Sequence, residues 1–172
     1  MIDILRAIWL IFPSYVANAS AVLFKGKTPV DFGRKWRNKP IFGKGKTWRG
    51  LVGGTLAGLA VGSLMNQIYP TFGEGIESFL ILFSLTFGAL FGDLLKSFFK
   101  RRIGKERGEK WIIADQIDFL LGSFLICFLM NREWFLENFK LYYIIFLLIF
   151  TPLLHLVTNI LAYVLKLKKV PW

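Results

Sequence analysis

Cysteine and histidine are nearly missing from this sequence, which has one of each among its 172 residues, Cys127 and His155. One cysteine cannot form a disulfide framework or a metal site built on thiolates. One histidine argues against zinc, because zinc sites combine several histidine, cysteine or carboxylate ligands. Acidic residues are also scarce: 11 stand against 22 lysines and arginines, so the formal net charge is +11.

Apolar side chains, in contrast, are in excess: they make up 55% of the residues, with aromatic residues at 17%. A soluble domain of this size would lack the polar surface needed to cover such a core. The apolar runs are long enough to cross about 30 Å of hydrocarbon, where the backbone must satisfy its own hydrogen bonds and is therefore helical. The basic charge then favours contact with anionic lipid headgroups over contact with nucleic acid.

Five apolar runs predict an all-α, polytopic membrane protein of five transmembrane helices, forming a single domain over residues 1–172. The runs lie near 4–24, 51–69, 76–99, 112–130 and 141–165. The first run lacks a preceding basic segment and is too long for a signal peptide, so we expect a spanning helix there. The third run turns basic after Leu95, and we expect it to continue as a helix beyond the bilayer surface.

The placement of charge predicts how these helices are oriented. The segment 25–49 carries nine basic residues and one acid, and the segment 93–118 carries seven basic residues and five acids. The segments on the opposite side carry three basic and five acidic residues. The positive-inside rule therefore puts the N-terminus outside and the C-terminus in the cytoplasm of a cell membrane, with cytoplasmic loops at 25–50 and 96–114.

A stripe of glycines marks the second predicted helix. The glycines are spaced by four residues and share one helical face: Gly50, Gly54, Gly58 and Gly62. Small residues at this spacing let a neighbouring backbone approach closely. We expect this face to pack tightly against another helix, and we assign it no further role.

Carboxylates and lysines gather where the third helix leaves the membrane and the fourth begins. One helical face carries, at positions i, i+3, i+4 and i+7, the residues Asp93, Lys96, Ser97 and Lys100. Asp115 and Asp118 stand three residues apart, and an apolar run follows Asp118 at once. Because a short loop joins the two helices, we expect the three carboxylates to converge at one rim of the membrane.

Two interpretations of this rim are open. In the first, the carboxylates bind Mg²⁺, which keeps phosphate oxygens and waters as its other ligands. Nearby cations would then attract a polyphosphate, as in nucleotidyl or phosphoryl transfer; they are Lys96, Lys100, Arg101 and Lys105. In the second, the acids form interfacial ion pairs with these same bases, since unpaired carboxylates at this depth are costly.

The segment 43–50, GKGKTWRG, is similar to a phosphate-binding P-loop but departs from its pattern, which would need glycine where this sequence has Pro40. A weaker mechanism remains. Thr47 can cap the second helix, whose N-terminal amides can bind phosphate. Lys44, Lys46 and Arg49 add positive charge. The alternative interpretation is an ordinary basic loop on the cytoplasmic side.

Polar residues also lie within the predicted spans. Asn18 is on the first helix, with Ser14 one turn earlier, and Thr151, His155 and Asn159 line one face of the last helix. Such residues usually form hydrogen bonds between helices. The alternative is that they hold a lipid headgroup or a reacting phosphate.

Several short motifs together resemble one enzyme family. SFFKRR followed by DQID resembles the signature of membrane cytidylyltransferases, in which Ser-x-x-Lys-Arg precedes two aspartates separated by two residues. Over residues 13–172, the pieces PSYVANA, DFG, GKTWRG, GDLLKSFFKRR, ADQIDF and TPLLH…N…VPW resemble the small archaeal branch, the CDP-archaeol synthases. The larger CDP-diacylglycerol synthases differ, because they have a Gly/His-rich stretch and an arginine where this sequence has GEKWIIA and Gln116.

The resemblance implies transfer of CMP from CTP to 2,3-bis-(O-geranylgeranyl)-sn-glycerol 1-phosphate, giving CDP-archaeol and pyrophosphate, with Mg²⁺ required. The expected metal ligands are Asp93, Asp115 and Asp118, for one or two ions. The expected catalytic residues are Asp93, Lys96, Lys100 and Arg101. Contacts with CTP are expected from Lys44, Lys46, Thr47, Arg49, Ser97, Gln116 and Asn18.

A non-enzymatic alternative is a transporter or flippase for an anionic lipid or nucleotide. Transporters often contain internal repeats and broken helices near the bilayer midplane. This sequence has no internal repeat, and its acids lie at the rim of the predicted spans. Both observations favour the enzyme.

Overall fold

The computed structural model describes residues 3–24, 26–105, 109, 111 and 114–164. Over these residues the helices are α1 (Asp3–Leu23), α2 (Trp48–Ile68), α3 (Gly75–Arg102), α4 (Ala114–Met130), α5 (Arg132–Asn138) and α6 (Leu141–Val164). A short antiparallel hairpin, β1 (Lys35–Trp36) and β2 (Lys39–Pro40), lies between α1 and α2. Outside the described residues lie two predicted helix boundaries, at 112 and 165, and the lysines of the C-terminal tail. The side chain of Asn159 is also not described.

The chain is mostly helical, as predicted, and five of its helices occupy the predicted apolar runs to within a few residues. Helix α3 continues through the basic residues to Arg102, which was also expected. Two elements were not predicted: the hairpin and the seven-residue helix α5. The loop segments around them had been assigned no structure, because neither contains an apolar run long enough to indicate a helix.

Helix length and hydropathy identify membrane-spanning candidates. Over the described residues, α1, α2 and α3 are long and apolar enough to cross a membrane, and α5 with α6 makes a fourth if the two form one span bent by 78°. Helix α4 has 17 residues, at the short end of the lengths that can span. Leu56 and Leu64 on α2 are 58% and 59% exposed, as suits a surface that faces lipid.

The glycine stripe of α2 lies against α1, as its spacing predicted. A Cβ added to Gly54 would lie 2.7 Å from the Ala17 carbonyl oxygen, and one added to Gly58 would lie 2.7 Å from the Pro13 carbonyl oxygen. Any larger side chain would therefore force the two backbones apart.

A second close approach joins α3 to α4. A Cβ built on Gly92 would overlap the Asp118 carbonyl group, and one built on Gly122 would overlap the backbone of Gly88 and Gly92. These glycines directly precede Asp93 and follow Asp118 by one turn, so the packing of the helices sets the distance between those two carboxylates. The C-terminal ends of α1 and α3 and the N-terminal ends of α2 and α4 lie at the same end of the bundle.

Candidate active site

Lys96 lies at the centre of the three predicted carboxylates. Its Nζ atom is 3.0 Å from Asp93 Oδ1, 3.3 Å from Asp115 Oδ1 and 2.6 Å from Asp118 Oδ2. The Lys96 side chain is 13% exposed and that of Asp118 is 5% exposed, so the cluster is largely withdrawn from water. The predicted convergence of Asp93, Asp115 and Asp118 is therefore present, and an ammonium group lies among them.

Two further lysines complete the charge balance of this cluster. Lys46, from the loop before α2, forms an ion pair with Asp93 Oδ2. Lys100 Nζ lies 2.7 Å from Asp115 Oδ1 and donates hydrogen bonds to Asp115 Oδ2 and the Glu109 carbonyl. Three carboxylates thus face three ammonium groups. The ion-pair interpretation of the rim describes this arrangement, as buried charges require partners.

The helical repeat and local hydrogen bonds place these side chains in the cluster. Asp93, Lys96 and Lys100 lie on the α3 face that the spacing predicted, and the Ser97 hydroxyl donates to the Asp93 carbonyl at 2.9 Å. On α4, Asp118 Oδ1 accepts the backbone N–H of Phe119 at 2.8 Å. Asp115 Oδ2 accepts the backbone N–H of Trp111, and the helical repeat of α4 places Asp115 about one turn from Asp118.

The donor set suits a hard cation such as Mg²⁺, which prefers carboxylate oxygens. Among the described residues, no group of three or more acidic, histidine or cysteine side chains is arranged to hold a metal ion directly. However, Asp118 Oδ2 is buried and makes no aligned hydrogen bond, although the Lys96 ammonium lies within ion-pair distance. A magnesium ion bound to this oxygen would have to displace the Lys96 ammonium; the carboxylate donors suit such an ion, and its binding here stays a prediction.

A cavity of about 660 Å³ opens beside the cluster. Its described wall includes these predicted site residues: Asn18, Lys44, Lys46, Thr47, Asp93, Lys96, Ser97, Lys100 and Arg101. Of the other predicted residues, Arg49 is exposed, and neither it nor Gln116, Asp115 or Asp118 belongs to that wall. His155, for which two interpretations were left open, also lines the cavity, together with Leu90 and Leu94.

A separate apolar groove of about 270 Å³ runs between α3 and α4. Its walls include Leu95, Phe99, Leu121 and Leu125, and it reaches Asp118. Lys96 lines both the groove and the cavity. The carboxylate cluster therefore separates a polar chamber from an apolar one, an arrangement that the sequence motifs did not indicate.

Thr47 caps α2 as predicted: its hydroxyl accepts the backbone N–H of Gly50 at 3.2 Å. The same hydroxyl accepts the N–H of Gly26, and Trp48 N–H donates to the Thr28 carbonyl. These bonds bring the two ends of the segment 26–47 together. Lys44 and Lys46, near the end of this segment, consequently face the cavity.

Asp31 organises the centre of that segment, and our site prediction omitted it. It is 6% exposed and accepts backbone N–H groups of Gly33, Phe42 and Gly43, each at 2.9 Å. Burial would raise the pKa of this carboxyl, but the three hydrogen bonds outweigh burial and leave the pKa below its usual value. The DFG motif, quoted above only as part of a resemblance, was the available signal.

Two of the polar residues within the helices, Ser14 and Thr151, form the expected hydrogen bonds between helices. Ser14 donates to the Leu85 carbonyl at 3.1 Å, and Tyr15 pairs with Thr151 at 2.5 Å, so these groups form hydrogen bonds between helices. Asn18 and His155 lie on the cavity wall, and the His155 ring also contacts the Phe119 ring. The site thus extends from the basic loop toward α1 and α6.

Comparison with known proteins agrees with the motif analysis. A family model described as "CarS-like: CDP-archaeol synthase" matches residues 1–172. The CDP-archaeol synthase of Archaeoglobus fulgidus is 46% identical over 181 residues, covering 100% of both chains. That of Thermococcus onnurineus is 45% identical over 172 residues, covering 99% of this chain and 98% of the relative.

A solved structure is also similar over most of the chain. It is described as "Structural insight into an intramembrane enzyme for archaeal membrane lipids biosynthesis" and is 33% identical, with a TM-score of 0.78. The match covers 91% of this chain and 94% of that one. These comparisons give no support to the transporter alternative.

Proposed function

The chain belongs to the CDP-archaeol synthase family and is a membrane nucleotidyltransferase, and we propose that its cavity binds CTP for transfer of CMP to unsaturated archaetidic acid. The products are CDP-archaeol and pyrophosphate. The observation that supports this assignment of the site is the convergence of Asp93, Asp115 and Asp118 on Lys96 beside a basic cavity.

The cavity offers the charge that a triphosphate requires. Lys44, Lys46 and Arg101 lie on its wall, so a polyanion would meet cations from both the loop and α3. Lys46 and Lys96 now neutralise carboxylates, and the same ammonium groups can offset charge on the pyrophosphate leaving group. Ser97 and Thr47 contribute the polar part of the same wall.

Asp93, Asp115 and Asp118 would hold Mg²⁺, which when bound neutralises phosphate charge and polarises the reacting phosphorus. The chain supplies the positioning. Three carboxylates fixed by helix packing would define where the metal lies, and the three lysines that face them balance their charge while the site is empty. The convergence of three carboxylates, which are hard oxygen donors, supports this assignment.

The reaction itself requires little from acid–base groups. An oxygen of the lipid phosphate attacks the α-phosphorus of CTP, a new P–O bond forms, and the bond to the β-phosphate breaks to release pyrophosphate. A phosphate monoester has a second pKa of about 6, so it is largely dianionic at neutral pH. It therefore needs no protein base, and the chain has to position it in line.

The lipid has a route from the bilayer. The apolar groove between α3 and α4 passes Asp118 and Lys96, so a lipid whose prenyl chain lies in the groove can bring its headgroup to the carboxylate cluster. In this proposal α4 and the α5–α6 pair complete five spans, the N-terminus lies outside, and the site faces the cytoplasm of the cell membrane. The gathering of basic residues at one end of the bundle supports this orientation.

The test uses purified protein in detergent with radiolabelled CTP, Mg²⁺ and the lipid phosphate, measuring label in the organic phase. We expect wild-type protein to form labelled lipid and Asp93→Asn to form almost none. Glu77→Gln is the matched control, because it makes the same change at an exposed position in the first turn of α3. Failure of wild type, or normal turnover by Asp93→Asn, would contradict the assignment.

A further inference from the structure

Arg102, the last residue of α3, fastens the hairpin of the 26–47 segment to that helix. Its guanidinium donates to three backbone carbonyls of the hairpin, those of Trp36, Lys39 and Pro40. The hairpin is exposed along its length, and Arg102 lies outside the described wall of the cavity. Arg102 therefore bonds to the loop, whereas its neighbour Arg101 lines the cavity.

Aromatic rings complete this attachment. The Arg102 guanidinium carbon lies 5.0 Å from the centre of the Trp36 ring and 5.1 Å from that of Phe98. The two rings stack on each other, with centroids 5.5 Å apart and planes inclined by 15°. A planar, multiply donating cation is needed to satisfy both the carbonyls and the rings.

Backbone hydrogen bonds connect the hairpin to the part of the loop that holds Lys44 and Lys46. Directly after the hairpin, Ile41 N–H bonds the Arg34 carbonyl, and Asp31 holds the next two amides, those of Phe42 and Gly43. Lys46 then donates its N–H to the Gly43 carbonyl and accepts that of Val30. The segment from the hairpin to Lys46 thus has few free torsions, so the position of the hairpin on α3, together with the Thr47 bonds at the other end of the segment, sets where Lys44 and Lys46 lie.

We propose that Arg102 is a positioning residue for nucleotide binding, which holds the 26–47 segment over the cavity by its guanidinium contacts with the hairpin. The inference rests on the proposed function of the cavity. It assigns Arg102 no contact with CTP. Without these contacts, the segment also adopts positions in which Lys44 and Lys46 face away from the cavity. The apparent affinity for CTP then falls in proportion to the fraction of molecules that keep both lysines at the cavity.

The decisive variants are Arg102→Ala and Arg102→Lys, with Arg34→Ala as the control. Arg34 lies in the same segment and is exposed, so its removal takes away an equal charge. We expect both Arg102 variants to raise the KM for CTP about tenfold while kcat stays within about twofold. Arg34→Ala should keep both constants near wild type.

Lysine retains the charge but not the planar fork of donors, so the Arg102→Lys result separates positioning from charge. If Arg102→Lys restores the wild-type KM, or Arg102→Ala behaves as Arg34→Ala does, Arg102 is not a positioning residue. A fall in kcat at unchanged KM would contradict the inference as well.

Limited trypsin digestion gives a measurement that does not depend on activity. Cleavage after Lys35 and Arg37, which are not followed by proline, should be faster in both Arg102 variants than in wild type or Arg34→Ala, at unchanged thermal unfolding of the helical bundle. Equal cleavage rates would refute the fastening. If wild type proves inactive while the cleavage rates differ as expected, the proposed function fails and the structural part of the inference stands.

Discussion

The Lys96 ammonium and the Asp118 carboxylate meet at 2.6 Å across the interface of α3 and α4, with 5% of the Asp118 side chain exposed. Both residues border the apolar groove, and Lys96 also borders the cavity. The contact exists because Gly92 and Gly122 let the two helices approach. This ion pair therefore depends on the close packing of α3 and α4, and it lies between the groove and the cavity within the carboxylate cluster.

Lys96→Met should destabilise the protein by about 3 kcal/mol, because it leaves three carboxylates in a largely buried site without their shared cation. The measurement is thermal or denaturant unfolding in detergent. Adding Asp118→Asn to this variant should recover part of the loss, since one of the opposing charges is removed. Lys27→Met, at an exposed position, is the control and should have little effect. A fully stable Lys96→Met protein would show that the cluster does not need the ammonium.

Asp118→Asn should lower cytidylyltransfer by about 100-fold or more and shift the Mg²⁺ dependence to higher concentration, since a neutral amide is a weaker ligand for a hard cation. The measurement is a Mg²⁺ titration of activity after treatment with a chelator. Glu133→Gln, in the first turn of α5, is the control. An unchanged Mg²⁺ dependence would remove Asp118 from the metal ligands.

Gly122→Val should reduce both stability and activity. The added side chain would overlap the backbone of Gly88 and Gly92, and such overpacking costs about 1–3 kcal/mol. Ala60→Val adds volume at an exposed position on α2 and should be tolerated. Unfolding midpoints and CTP turnover measured on the same preparations would show whether the α3–α4 spacing matters for the site.

Asp31→Asn should lower stability at neutral pH, because a neutral amide accepts three backbone hydrogen bonds less strongly than a carboxylate. The pKa of Asp31 is lowered by folding, so its contribution is complete above about pH 4 and is lost as pH falls through the lower folded value. The stability difference between wild type and Asp31→Asn should therefore be constant from pH 6 to pH 8 and shrink in strong acid. A difference that grows on acidification would contradict this account.

Orientation can be tested with single cysteines, because Cys127 is buried and is the sole native cysteine. In a Cys127→Ala background, Glu74→Cys should react with a membrane-impermeant maleimide in intact cells. Lys35→Cys should react only after the membrane is opened. The reverse pattern would invert the proposed topology, and labelling of both positions in intact cells would exclude it.

Sequence reasoning succeeded where one helix or one spacing carries the information. Asp93, Lys96 and Lys100 share a face because of the 3.6-residue repeat, and the Thr47 cap follows from its position before an apolar run. Convergence of Asp115 and Asp118 on Asp93 followed from the short connection between the helices. These features depend on contacts close in the chain.

Features built from distant contacts were not predictable in this way. Arg102 was counted among basic residues, and its role depends on where the hairpin at Trp36 lies in three dimensions. The presence of Lys96 between the carboxylates was one of two open interpretations, since spacing alone does not say whether an acid meets a base or a metal. Helix α5 is too short to give an apolar periodicity.

The wall shared by the groove and the cavity has a kinetic consequence. If the lipid acceptor arrives along the groove and CTP through the cavity, the enzyme takes the lipid from the membrane phase and CTP from the aqueous phase. The relevant measure of acceptor is then its mole fraction in the micelle or bilayer, whereas that of CTP is its molarity. Adding inert detergent lowers the mole fraction of the lipid phosphate in the micelle while its amount in the assay stays constant. This dilution should slow turnover and leave the half-saturating concentration of CTP unaltered.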